Sequence, residues 1–251
     1  MPKVIVSGYS GRMGREVRNL IDENSGFELV AGFDTDAGTE DGVPVFSEFR
    51  LRDAPEADIV IDFSNHVFVP AVLLFCMSRK MPVVIATTAL GEDVLSMRNE
   101  AAQTIPVFHS ANMSLGVNVL AKMAQAGAPA LEDSFDIEIV EAHHNQKKDA
   151  PSGTAILLAD AVNASLKERK EYTFGRSGRD AQRNTGEIGI HAVRGGTLPG
   201  RHTIIFAGPD EVVEITHTAY SRRVFAEGAL KAAAWLLSRE PGLYNMNDLL
   251  A

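Results

Sequence analysis

The run Glu141-Ala142-His143-His144-Asn145-Gln146-Lys147-Lys148-Asp149-Ala150-Pro151-Ser152-Gly153-Thr154-Ala155 sets four cationic or protonatable side chains just ahead of a Pro-Ser-Gly-Thr turn. Histidine changes charge near neutrality, so it can give a proton at physiological pH, whereas lysine and a helix N-terminus attract carboxylate or phosphate. These residue types at this spacing describe a site for an anion. A pair of histidines alone would suit an ordinary surface loop, and it is the length of the run that argues for more.

The flanking residues say which elements position the run. Upstream, Phe135, Ile137 and Ile139 alternate with Asp136 and Glu138, which predicts a half-buried strand. Downstream, Ala155, Leu158, Ala159, Val162 and Leu166 recur at helical spacing, behind the helix-opening residues Pro151, Ser152 and Thr154. The loop thus joins a strand end to a helix N-terminus. Free backbone N–H groups and the positive end of the helix dipole converge with His143, His144 and Lys147.

The whole chain bounds what the anion can be. Its 251 residues suffice for one large domain or two small ones, and a composition of 45% hydrophobic and 23% charged residues is that of a soluble globular protein. A formal charge of −9 speaks against a nucleic-acid surface, so local positive groups must hold the ligand. Cys76, the only cysteine, lies in the apolar stretch Leu73-Leu74-Phe75-Cys76-Met77, which suits a buried thiol. Val4-Ile5-Val6 is too short for a signal or a membrane span, so the expected place is the cytoplasm.

From the N-terminus, Lys3 to Ser7 is a β-branched run followed by Gly8-Tyr9-Ser10-Gly11-Arg12-Met13-Gly14, then by Val17, Leu20 and Ile21 in phase with Met13. This is strand, glycine turn, helix, the order that lets a backbone approach a pyrophosphate. Ser10 stands where the commoner fingerprint has its second glycine, and a plain tight corner would use the same turn. Phe27 to Phe33 reads as a second strand ending at Asp34, where an acid would bond the adenosine ribose. Thr35 follows in place of an arginine, which leans toward NAD over NADP, with Arg12 as a basic residue that could serve a 2′-phosphate.

Thr35 to Pro55 reads as loops around a weak strand. Further apolar strands at 57–63, 82–86 and 106–109 alternate with helices at 67–78 and 92–102, which indicates a parallel sheet covered on both faces. Gly8, Asp34, Ser64, Thr87, Thr88 and Ala111 to Met113 then fall at strand ends, where such sheets bind ligands. After a helix from Leu115 to Ala126 the pattern changes to strands at 187–193, 202–207 and 212–219, an α+β arrangement. Gly175 to Asp180 is a polar loop, a lid or a solvated excursion, with the excursion favoured. Phe225, Ala229, Ala232, Ala233 and Leu236 mark a closing helix that must cover a sheet.

These pieces together resemble the dihydrodipicolinate reductase (4-hydroxy-tetrahydrodipicolinate reductase) family along nearly the whole chain. The resemblance is carried by Gly8 to Gly14, Asp62-Phe63-Ser64, Thr87-Thr88, Ala111-Asn112-Met113-Ser114 with Gly116-Val117-Asn118, and above all Glu141 to Ala155. Ile188 to His191 with Arg194-Gly195-Gly196, Glu214 to His217, Ser221-Arg222 with Phe225-Ala226, and Gly242-Leu243-Tyr244 extend it. It implies a Rossmann-like α/β domain from residues 1–113 and 222–251, a substrate-binding and oligomerisation domain of α+β type at 114–221, and a homotetramer. It further implies an oxidoreductase of lysine and diaminopimelate biosynthesis, using NADH, NADPH or both on a small dicarboxylate.

Carried over by position, the resemblance makes His143 the proton donor and Lys147 its partner, with His144, Ser152, Gly153 and Thr154 on the substrate carboxylates. The cofactor contacts it implies are Gly8, Tyr9, Ser10, Gly11, Arg12, Met13, Asp34, Ala86, Thr87, Thr88, Ser110, Ala111, Asn112 and Met113. Ala86 stands where the family usually has glycine, and Thr35 replaces a frequent arginine, which bears on NADPH preference.

A two-carboxylate substrate needs positive charge at both ends and a proton for the centre that receives hydride, and the run can supply all three. Other readings make other demands. Metal-dependent hydrolysis would use Glu141, His143, His144 and Asp149, but adjacent strand residues point to opposite faces. A dinucleotide sensor would not need His143 and Lys147, and a sister dehydrogenase would act on another amino-acid intermediate.

Overall fold

The computed structural model describes residues 1–23 and 26–251. Contacts divide the chain into two units, Met1–Leu115 with Arg222–Ala251, and Gly116–Ser221.

The first unit is a β/α alternation. β1 (Lys3–Ser7), α1 (Arg12–Asp22) and β2 (Glu28–Phe33) are followed by the short strands β3 (Gly38–Glu40) and β4 (Val43–Phe46) and a 3₁₀ turn at Glu48–Asp53. Then come β5 (Ile59–Asp62), α2 (Val69–Arg79), β6 (Val83–Ile85), α3 (Glu92–Ala101) and β7 (Pro106–His109). The weak strand expected between Thr35 and Pro55 is a β3–β4 hairpin that extends the sheet past β2. β5 and β6 are buried along their length and β1 from Val4 to Ser7, so they are continuous buried runs instead of alternating ones.

Two layers of helix supply that burial. Val17, Leu20 and Ile21 of α1 pack with Ala226, Ala229, Ala233 and Leu236 on one face, while Val72, Leu73, Phe75 and Cys76 of α2 cover the other. The closing helix is therefore α6 (Arg223–Leu236), laid against β5, β6 and β7. The tail adds the parallel edge strand β13 (Gly242–Tyr244) beside β7 and a short helix α7 (Met246–Leu249). Strand order is β13-β7-β6-β5-β1-β2-β4-β3, so the chain reverses direction across the sheet between β1 and β5. Ligand clefts of such sheets lie at that reversal, beyond the strand ends.

In the second unit α4 runs over Leu115–Leu131, longer than its periodicity predicts, and α5 spans Gly153–Asn163. Both lie on one face of a mixed sheet of order β12-β11-β8-β10-β9, made of β8 (Asp136–His143), β9 (Glu171–Phe174), β10 (Glu187–Arg194), β11 (Gly200–Ala207) and β12 (Val212–Ala219). β8 pairs parallel with β10 and antiparallel with β11. Ile137 and Ile139 on β8, Ile188 and Ile190 on β10, and Ile204 and Phe206 on β11 form the helix-covered core. Among the described residues no helix is long and apolar enough to cross a membrane.

Candidate active site

The two-residue period of the strands builds the site. Continuing β8 beyond Ile137 and Ile139 on the same face gives Glu141 and His143, and continuing β10 beyond Ile188 and Ile190 reaches Arg194. On β11 the position opposite Glu141 is His202. An apolar face thus ends in a polar cluster, and α5 begins above it.

Glu141 is the centre of that cluster. Its side chain is fully buried and accepts from both terminal nitrogens of Arg194 at 2.7 Å each, from His143 Nδ1 at 2.6 Å and from the Ser152 backbone N–H at 3.0 Å. Burial alone would push its carboxyl up, and Arg194, His143 and the Ser152 amide outweigh burial to hold it below the usual carboxylate range. A charged Glu141 requires the proton of neutral His143 on Nδ1, which leaves Nε2 for chemistry. Burial, together with Lys147 and Arg194, lowers His143 below the ordinary imidazole value against the opposing pull of Glu141.

Ser152 caps α5. Its hydroxyl accepts from Ala155 N–H at 3.2 Å, and Gly153 follows exposed in the first turn. His144 lies one residue past the end of β8, where its carbonyl accepts from Lys147 N–H at 3.2 Å. Lys147 Nζ sits 2.9 Å from Asp149, and Lys148 is exposed. Both Glu141 oxygens are engaged by Arg194, Ser152 and His143. Among the described residues no group of three or more His, Cys, Asp or Glu is disposed to hold a metal ion.

The Gly175–Asp180 loop differs from a solvated excursion at one residue. Ser177 to Asp180 are exposed, but Arg176 is drawn onto the sheet by Glu138, at 2.8 and 2.9 Å, and by Glu187. Two carboxylates on neighbouring strands outweigh the local preference of a glycine-flanked arginine for water.

In the first unit the remaining predicted residues gather at the strand ends. Gly8 to Met13 follow β1, Asp34 follows β2, Ala86 to Thr88 follow β6 and Ser110 to Met113 follow β7. Gly8 has φ +75°, and a Cβ there would stand 2.6 Å from the Phe63 carbonyl; at Gly14 it would stand 2.2 Å from the Gly8 carbonyl. The first intrahelical bond of α1, from Arg15 N–H to Gly11, leaves the Arg12 and Met13 amides in the orphan turn. A cleft lined by Gly8, Gly11, Asp34, Thr35, Ser64 and Phe68 lies alongside. Glycines that keep backbone within reach, an uncapped helix start and an acid at the end of β2 fit a dinucleotide.

Individual side chains there are unequal. Tyr9 is fully buried beneath the Arg18 guanidinium, 4.1 Å from the ring centroid, so its backbone alone belongs to the turn. Met13 and Met113 contribute to the core, whereas Arg12, Thr88 and Ala111 are exposed. Thr87 donates to the buried Asp62 at 2.6 Å, and Asn112 accepts from Ser114 N–H at 2.9 Å. Ser10 meets two carboxylates: its N–H donates to Asp34 and its hydroxyl to Glu40, each at 2.8 Å. Arg18 is paired with Glu40 and Asp41, both at 3.0 Å.

Glu141 as orienter, Arg194, His202 and Glu40 were not among the expected site residues. The two-residue period that places Ile137 and Ile139 inward also places Glu141 with His143, so that pairing was readable. Arg194 and His202 are in phase with the inward residues of β10 and β11, but their meeting with Glu141 comes from strand pairing, and Glu40 has no local signal.

Comparison with known proteins gives one answer across the chain. The family models described as dihydrodipicolinate reductase, N-terminus, and dihydrodipicolinate reductase, C-terminus, match residues 2–113 and 116–250. The 4-hydroxy-tetrahydrodipicolinate reductase of Caldanaerobacter subterraneus subsp. tengcongensis is 53% identical over 250 residues, covering 100% of this chain and 98% of the relative. That of Clostridium tetani is 42% identical, with 100% and 97% covered. Among solved structures, a dipicolinate-bound dihydrodipicolinate reductase from Paenisporosarcina sp. TG-14 superposes with a TM-score of 0.80 at 25% identity, covering 98% and 99% of the two chains.

Proposed function

This chain belongs to the dihydrodipicolinate reductase family, and from that premise we propose that it reduces 4-hydroxy-tetrahydrodipicolinate to tetrahydrodipicolinate, with loss of water, in lysine and diaminopimelate biosynthesis. The observation that carries the reading is the buried Glu141 holding His143 by Nδ1 beneath the N-terminus of α5. A bound nicotinamide supplies the hydride. Gly8 to Met13, Asp34, Ala86 to Thr88 and Ser110 to Met113 are the residues that would hold the dinucleotide.

In this reading the chain's own part is grip and proton delivery. The first turn of α5, from Ser152 through Gly153 and Thr154, offers partial positive charge to one carboxylate, and His144 and Lys147 add donors. His143, lowered by burial, is neutral in the empty site at neutral pH. A dianionic ligand favours the charged imidazole, so the site acquires its proton as it loads. Nε2 then holds that proton for the centre that hydride addition makes electron-rich, with Lys147 as the second proton donor.

For the cofactor the reading is NADH, or both, over NADPH alone. A 2′-phosphate near the Asp34 end would meet the Asp34 and Glu40 carboxylates, while Arg18 is committed to Glu40 and Asp41. For assembly the reading is a homotetramer in the cytoplasm. Helices cover one face of the second sheet, and Phe174, Val193 and Val212 of that unit are exposed, as a self-associating surface would have them.

The test generates the unstable substrate in place with its synthase and follows nicotinamide absorbance with each cofactor. Turnover that depends on the synthase supports the reading, and none with either cofactor refutes it.

A further inference from the structure

His202 is 4% exposed, and its two ring nitrogens have unlike surroundings. Nε2 lies 2.8 Å from Ser152 Oγ, while Nδ1 is buried with no hydrogen-bond partner among the described residues. The ring stands edge-on to His143, with centroids 5.1 Å apart and planes at 73°. Burial pushes His202 down to about 4, so at neutral pH it carries a single N–H.

That proton has two possible places. On Nδ1 it would be a buried N–H without an acceptor, and Ser152 would spend its only hydroxyl proton on Nε2. On Nε2 it donates to Ser152 Oγ and leaves no more than an unused lone pair at Nδ1. Orphaned buried N–H groups are rarer than under-satisfied acceptors and cost the full desolvation of the donor. Ser152 Oγ also accepts from Ala155 N–H at 3.2 Å, so the second placement fills both its lone pairs. The Ser152 N–H is taken by Glu141. The hydroxyl proton of Ser152 is then the one hydrogen-bonding group of this residue's side chain left to donate.

We propose that His202 is a positioning residue: held as the Nε2–H tautomer, it donates to Ser152 Oγ and so turns the Ser152 hydroxyl into a donor for a substrate carboxylate at the start of α5. The inference rests on the dicarboxylate reading of this site. It makes Ser152 a ligand group whose direction is set by a residue fifty positions away and on another strand. His202 itself touches no reacting atom.

Two measurements on the full chain test it. A long-range ¹H–¹⁵N correlation spectrum of ¹⁵N-histidine-labelled protein reads the tautomer of His202 directly, and the expected result is a protonated Nε2. Calorimetric titration with dipicolinate reads the consequence. His202→Phe, which keeps a ring and removes the donor, and Ser152→Ala should each weaken dipicolinate about tenfold or more, the loss of one hydrogen bond to a charged group. The double variant should bind no worse than the weaker single one, and His202→Gln, whose amide can donate, should recover most of the loss. A merely structural His202 would lower thermal stability without that coupling. A protonated Nδ1, a folded His202→Phe variant binding within twofold of the parent, or additive losses in the double variant overturns the proposal alone. Failure of the parent protein to bind dipicolinate overturns the dicarboxylate reading and the proposal with it.

Discussion

Replacing Glu141 by glutamine removes one charge and exchanges one oxygen for an NH₂ group, yet four hydrogen bonds converge on that carboxylate. An amide has one acceptor end. If its oxygen faces His143 Nδ1 and one Arg194 nitrogen, its NH₂ faces the other Arg194 nitrogen and the Ser152 N–H, so donors oppose donors. Arg194 keeps its charge with its side chain 19% exposed and loses the partner that compensates it. Breaking such a pair costs about 3 kcal/mol, the low end for buried pairs because Arg194 retains some water. Kinetically, His143 loses the negative charge that holds its Nδ1–H tautomer and stabilises its protonated form, and kcat should fall on the order of 10²-fold or more. Glu141 is also what raises His143 against burial, so the imidazole pKa should fall further in the variant. Denaturant unfolding, steady-state kinetics with substrate generated in place, and NMR titration of His143 check the three consequences. A variant with unchanged kcat and unchanged His143 titration would refute Glu141 as the orienting base of the site.

Four further outcomes are expected. His143→Ala should lower kcat on the order of 10²-fold or more with a modest change in KM, and an unchanged kcat would remove His143 from proton donation. Lys147→Ala should hurt both KM and kcat, whereas a change in thermal stability alone would make Lys147 structural. The ratio of kcat/KM for NADH to that for NADPH should be one or greater, and Glu40→Gln should move it toward NADPH by roughly fivefold, the scale of one half-exposed charge; a strong NADPH preference in the parent would show another group binding the 2′-phosphate. Acid should unfold the chain through His202: its folded pKa of about 4 lies below the unfolded 6.5, so the unfolded state binds the extra proton between those values. The His202 share of the stability, complete above pH 6.5, should drop by about 3 kcal/mol as pH falls to about 4, and urea unfolding of His202→Phe should lose that share while keeping the one from His109, which burial also lowers to about 4.

The β/α order of the first unit was legible because buried parallel strands need continuous apolar runs and the turns between them need glycine, both local properties of the chain. Boundaries moved where tertiary contacts override periodicity. α4 runs on to Leu131 past the end of its sequence pattern, and Gly242–Tyr244, too short to declare itself, is a strand because β7 presents an open edge. Arg176 was illegible for the same reason, since its loop gives no hint of Glu138 and Glu187 waiting on two other strands.

The run from Glu141 to Ala155 determined by itself that a strand end meets a helix start, and that a histidine and a lysine stand there with an anion's complement. Those are consequences of spacing, and spacing is written in the chain. Only tertiary structure decided what holds His143 in place. Arg194 comes from β10 and His202 from β11, and pairing with β8 sets them around Glu141 where no sequence distance predicts it. A buried carboxylate is stable when its partners arrive from several elements at once, so the group at the centre of this cluster became visible with the sheet that surrounds it.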